Sequence, residues 1–198
     1  MTPPPWTLRG HGLLALYLPA PGSPLGALML LHYASSPVGP YDELLWVEAP
    51  VASPAGPRPR VQSSVVSTRE SVEWGRRNWG VPKHLARFEW EGGPGRGQVR
   101  VTGEDGRRVA HLAFRAGGPR LPVSTALVPA PLRTLAQPAL DGGEGWLLTT
   151  PGATGHVSPA RFTVLHADGL CPPLVHARPR LTLEARDFRL MFPVPNRQ

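Results

Sequence analysis

Twenty-six prolines and 22 glycines are spread through 198 residues, recurring between short apolar runs without any period. Proline removes a backbone donor and fixes φ, and glycine loosens the chain, so few helices of any length survive such punctuation. Many short strands joined by turns are what it allows. Hydrophobic residues make up 41% of the chain and six tryptophans are distributed along it, enough apolar surface to pack rather than stay disordered. The length suits one domain spanning residues 1–198.

Read along the chain, residues 12–18 and 25–33 are strand candidates around the turn Pro19-Ala20-Pro21-Gly22-Ser23-Pro24. Tyr41 to Ala49 and Val61 to Val66 are further strands, with a loop from Pro50 to Pro59. Ser67-Thr68-Arg69-Glu70 reads as a helix start with a serine cap and a glutamate three residues on. Val72, Gly75, Arg76 and Trp79 follow at helical spacing, and Gly80 and Pro82 stop the helix near Trp79 or Gly80.

From His84 to Glu91 the chain alternates as a strand. Strict parity puts His84 with apolar Ala86, Phe88 and Trp90, and Lys83 with the polar set. Gln98 to Thr102 and Arg107 to Phe114 flank the turn Gly103-Glu104-Asp105-Gly106, a β-hairpin. Trp146 to Thr150, Arg161 to His166 and Leu181 to Arg186 are later strands, and Ala130 to Ala139 has room for a short helix. The fold class is therefore mainly β: a curved, partly closed antiparallel barrel with one or two short helices.

The net charge of +7 raises nucleic acid or an anionic membrane as partners, but the arginines are scattered, with no basic run and no aromatic-interleaved RNA-binding motif. No nucleic-acid role is expected. The longest apolar stretches fall far short of the roughly 20 residues of a membrane-spanning helix, so no span is expected. With no secretory signal visible and a single cysteine, Cys171, the reading is cytoplasmic. Homo-oligomeric assembly stays open.

Of the 21 basic residues only Lys83 is a lysine. Arginine stays protonated, whereas a lysine amine can lose its proton and attack a carbonyl carbon to form a Schiff base. Chemistry that needs a neutral amine cannot use arginine. His166, Cys171 and His176 lack metal-site spacing, Gly93-Pro94-Gly95-Arg96-Gly97 is a turn rather than a phosphate loop, and Ser158 has no nucleophile-elbow context. No cofactor and no metal are expected.

The stretch Glu73-Trp74-Gly75-Arg76-Arg77-Asn78-Trp79-Gly80-Val81-Pro82-Lys83-His84-Leu85-Ala86-Arg87-Phe88 resembles the signature of the acetoacetate decarboxylase-like superfamily, above all its short members with a Pro-Lys-His-Leu-Ala-Arg-Phe motif. The resemblance implies that Lys83 is the Schiff-base nucleophile. Gly39-Pro40-Tyr41-Asp42-Glu43 resembles the segment carrying a pocket glutamate, which makes Glu43 the counterpart that moves protons. Arg76 is the candidate for holding a carboxylate, with His84 and Tyr41 as further substrate-binding candidates.

The chain departs from the family pattern in four places. His84 replaces a second lysine, Arg77 replaces a glutamate, an acid near Ala27 to Met29 is missing, and Arg9 is the only candidate for an N-terminal pocket arginine.

The expected partner is a small-molecule carbonyl compound, handled by a carbon–carbon lyase of decarboxylase, aldolase or dehydratase type. The alternative is a non-catalytic β-barrel that binds an apolar, lipid- or isoprenoid-like ligand. The catalytic reading expects desolvation to make the amine neutral, and expects Lys83→Arg to be less stable than Lys83→Met.

Overall fold

The computed structural model describes residues 2–18, 25–93, 95–170, 174–175 and 177–198. The turn at 19–24 and the residues Cys171 and His176 lie outside them. The strands are β1 (Trp6–Tyr17), β2 (Gly26–Ser35), β3 (Tyr41–Val51), β4 (Arg58–Val66), β5 (Lys83–Gly93), β6 (Arg96–Gly103), β7 (Arg108–Ala116), β8 (Leu121–Ser124), β9 (Leu135–Pro138), β10 (Trp146–Thr149), β11 (Gly152–Ala167), β12 (Leu181–Phe192) and β13 (Asn196–Arg197). Two helices interrupt them, α1 (Arg69–Trp79) and α2 (Ala130–Arg133).

β1 to β7 pair in sequence order, β7 pairs with β11, β11 with β12, and β12 returns to β1, so the hydrogen-bond ladder closes on itself. Closure removes the free edges that an open sheet exposes. The mainly β barrel expected from the sequence is present, with two differences. The ring is fully closed, and one pair, β4 with β5, is parallel because α1 carries the chain back across the sheet before β5 begins. β8 extends the sheet beyond β11, and β13, β10 and β9 form a separate small sheet.

Alternation along the strands builds two cores. One takes residues such as Leu13, Leu30, Trp46, Val65, Ala86 and Val101 from β1 to β7 and β11 and fills the barrel interior. The other lies between the outer face of the barrel and α1, where Trp6, Leu8, Tyr33, Val66, Trp79 and Phe188 meet. Trp6 packs edge-on to Trp79 at 4.9 Å, and the Trp79 indole donates to the Pro193 carbonyl at 2.9 Å, clamping α1 to the chain ends.

α1 starts and stops for local reasons. Thr68 is the N-cap, its hydroxyl accepting from Ser71 N, while Ser67 instead accepts a hydrogen bond from Asp42 N at 2.8 Å. The cap expected at Ser67 thus sits one residue on. Gly80 ends the helix in the left-handed region at φ 65°, and its amide donates to the Arg76 carbonyl at 2.9 Å. The buried face of α1 is Ser71, Gly75 and Trp79, spaced i, i+4, i+8.

Candidate functional site

Four neighbouring elements turn their side chains toward one point beneath α1. Tyr41 and Glu43 are alternate residues of β3, so they share a face; Ser64 of β4 stands in direct register with Lys83 of β5; Tyr33 of β2 stands opposite Tyr41. Above them α1 presents Ser71 and Gly75. Tyr41, Glu43 and Leu45 share the face whose apolar members, Tyr41 and Leu45, belong to the core under the helix, whereas Leu44 and Trp46 point into the barrel. Lys83 follows the first set. The parity inferred from the sequence, which separated Lys83 from Ala86, is the parity of the structure, with Ala86 in the barrel interior.

The Lys83 side chain is 7% exposed and that of Glu43 6%, and their Nζ and Oε1 atoms are 3.0 Å apart. Nζ also donates to Ser71 Oγ at 3.2 Å and stands 5.1 Å from the centre of the Tyr41 ring. Ser64 Oγ donates to the same Glu43 oxygen at 2.8 Å, and Tyr33 hydrogen-bonds Glu43. Ser64 and Ser71 are fully buried. Each polar group in this enclosed cluster therefore has a partner, as burial demands.

The electrostatics differ from those expected of an isolated amine. Burial alone pushes the Lys83 amine down, but the Glu43 charge, the Tyr41 oxygen and hydrogen bonds to both outweigh it, and the amine rises above its ordinary 10.5. Desolvation does not leave Lys83 neutral, because a carboxylate is buried with it. Burial, followed by the opposed effects of Lys83 and Glu43, pushes the Tyr41 phenol up to about 12. Tyr33 is raised well above 10.0, by burial first and then by Glu43.

Of the residues singled out in the sequence, the structure brings Lys83, Glu43 and Tyr41 together. Arg76 lies beside them, its guanidinium engaged: Nε and Nη2 donate to the two Asp141 carboxylate oxygens at 3.0 and 2.7 Å, and Nη1 donates to the Lys83 backbone carbonyl at 3.4 Å. His84 points away from the cluster; it is exposed and lines a cavity of about 460 Å³ with Val65, Arg107 and Asp168. Arg9 is exposed on β1 and Arg77 lies over the Trp74 ring at 5.5 Å, so neither joins the cluster.

Ser64, Ser71, Tyr33 and Gly75 were not foreseen. The small residues Ser71 and Gly75, one helical turn apart just before the lysine, were the signal available; Ser64 and Tyr33 depend on strand register. Among the described residues no group of three or more potential metal ligands is present. No helix among them is long and apolar enough to cross a membrane. His166 Nε2 instead lies 3.0 Å from the Arg108 carbonyl.

No family model matches the chain. A stretch is 30% identical over 102 residues to the protein named NEOXANTHIN-DEFICIENT 1 of Oryza sativa subsp. japonica, covering 43% of this chain and 34% of that protein. The match thus spans about a third of that relative's length. Solved structures align over nearly the whole chain. An acetoacetate decarboxylase from Legionella pneumophila superposes with a TM-score of 0.65 at 15% identity, covering 99% of this chain and 88% of that one. The enduracididine biosynthesis enzyme MppR, complexed with pyruvate, gives 0.64 at 16% identity, covering 100% and 91%. An acetoacetate decarboxylase-like enzyme from Sphingomonas wittichii RW1 gives 0.60 at 12% identity, covering 98% and 92%. The fold is therefore the acetoacetate decarboxylase-like fold that the lysine motif implied.

Proposed function

We propose that this chain is a carbonyl-acting enzyme that forms a Schiff base on Lys83, with Glu43 as the group that takes and returns the amine proton. The observation that carries the reading is the chain's sole lysine, buried 3.0 Å from a buried glutamate. A buried ion pair stabilises a fold little better than apolar residues of the same volume, so its presence under α1 asks for another reason.

The steps balance within these residues. Lys83 Nζ passes a proton to Glu43 Oε1, and the neutral amine adds to the carbonyl carbon of the substrate, giving a carbinolamine. Glu43 returns the proton to the departing hydroxyl, water leaves, and an iminium remains. The iminium accepts the electron pair of a breaking carbon–carbon or carbon–hydrogen bond. Loss of carbon dioxide from a β-keto acid, retro-aldol cleavage and dehydration differ only in which bond breaks. Tyr41, protonated at neutral pH, packs its ring toward the amine and limits the space for the carbonyl. The structures of similar fold are consistent with small carbonyl substrates, one of them being complexed with pyruvate.

Borohydride reduction in the presence of pyruvate or acetoacetate tests the reading. Intact-protein mass should show one reduced adduct that is absent in Lys83→Ala. Because the resting amine is held charged, trapping should rise with pH toward 10.5 and beyond. Glu43→Gln should move that profile to lower pH, since burial then acts on the amine without the opposing carboxylate. No adduct with any carbonyl across that range sinks the proposal.

A cavity of about 480 Å³ that no residue of α1 lines, where Leu13, Trp90 and Phe114 stand beside polar groups such as His32, Glu184 and Arg186, favours a second reading, a barrel that holds a mainly apolar ligand with a few polar groups. Native mass spectrometry of freshly purified protein separates the two: a retained apolar ligand, unaffected by Lys83→Ala, supports the binding barrel.

A further inference from the structure

α1 carries a glycine inside its length without a backbone reason for one. Gly75 lies within Arg69–Trp79, is buried, and is not among the glycines with positive φ. A glycine at such a position weakens a helix relative to alanine, so something outside the helix must require it. Space is what it supplies. A Cβ at position 75 would stand 2.6 Å from Lys83 Cδ, 2.8 Å from Cε and 3.4 Å from Nζ, distances that the lysine chain could relieve only by moving. Four residues earlier on the same helical face, Ser71 is fully buried and its Oγ accepts from Nζ at 3.2 Å. Together the two residues form a notch in α1 that receives the outer half of the lysine side chain, with Glu43 and Ser64 on the opposite wall.

We propose that Ser71 and Gly75 are positioning residues, which seat the Lys83 amine against Glu43, one by accepting its hydrogen bond and the other by leaving room for Cδ and Cε. The proposal rests on the Schiff-base reading only for its catalytic consequence; the seating itself is independent of it. A methyl group at position 75 drives the amine out of the notch and away from the carboxylate that holds its proton.

The sole lysine makes the test direct, because protein labelled with 15N-lysine gives a single Nζ signal. In Gly75→Ala the titration midpoint of that signal should fall relative to wild type, and in Ser71→Ala it should fall by less. Melting temperatures supply a second readout. Gly75→Ala should lower Tm in the wild-type background and raise it in a Lys83→Ala/Glu43→Gln background, where the obstructing side chain is gone and only the helix-forming advantage of alanine remains.

An unchanged Nζ midpoint in Gly75→Ala, or a Tm change of the same sign in both backgrounds, overturns the proposal. Should Gly75→Ala fail to fold with Lys83 present, the triple variant must still fold and melt above its parent; its failure overturns the proposal as well. Borohydride trapping keeps the two ideas apart. If the Schiff-base reading alone is wrong, no variant gives an adduct while the midpoint shift and the Tm reversal persist. If the seating alone is wrong, Gly75→Ala traps carbonyl with the wild-type pH profile.

Discussion

At the scale of single residues, the pair Lys83–Glu43 sets the energetics as well as the proposed chemistry. The sequence reading expected Lys83→Arg to be less stable than Lys83→Met, on the ground that an apolar pocket would reject a permanent charge. Glu43 reverses that order. Lys83→Met leaves a carboxylate 5% exposed without its counter-charge, which should destabilise by about 3–5 kcal/mol, whereas Lys83→Arg keeps the pair and meets crowding worth about 1–3 kcal/mol against the α1 notch. The double variant Lys83→Met/Glu43→Gln should return to within about 1 kcal/mol of wild type, since both charges leave together. Urea unfolding of the four proteins decides it, and a Met variant as stable as wild type would show that the Lys83–Glu43 contact contributes nothing to stability. The identity of the lysine was legible because it stands alone among arginines in a recognisable motif. Its partner's effect on it was not, because a 3.0 Å contact between positions 43 and 83 exists only when β3, β4 and β5 lie side by side.

At the scale of elements, α1 is the roof of the cluster and its ends fix where the roof lies. Gly80 combines a φ of 65° with a position where a Cβ would meet the Pro138 carbonyl oxygen at 2.3 Å. Gly80→Ala should therefore cost more than the about 1–2 kcal/mol of left-handed strain alone, because β9 must also move. Thermal melts should place it well below wild type; a change within about 0.5 kcal/mol, usual for an innocuous surface position, would show that the contact with β9 is dispensable. The helix and its glycine stop were readable from Ser67 to Pro82 by spacing and capping, with the cap one residue early. Which face is buried was not: the helical spacing was traced through Val72, Gly75, Arg76 and Trp79, while the structure buries Ser71, Gly75 and Trp79. Small residues are chosen on that face by what lies beneath it, a property of the sheet and not of the helix.

At the scale of the whole molecule, burying titratable groups beneath α1 links the fold to pH on the alkaline side. Lys83 and Tyr41 both bind their protons more tightly folded than unfolded, so the stability they contribute is complete below about pH 10 and is lost as pH rises through their folded values, about 12 for Tyr41. Wild-type Tm should fall between about pH 10 and 12, and Tyr41→Phe should fall less over the same window; parallel curves would take the Tyr41 titration out of the folding equilibrium. The punctuation by proline and glycine, the alternation along each strand and the lysine motif determined a β-rich barrel, one capped helix and one lysine set apart from the arginines, since each is written in a few consecutive residues. Closure of the ring, the parallel step at β4–β5, the turning of His84 to the surface and the engagement of Arg76 by Asp141 were decided only by tertiary structure. Each brings together residues far apart in the chain, and the free energy that selects such contacts comes from burial and pairing between elements, which no local window contains.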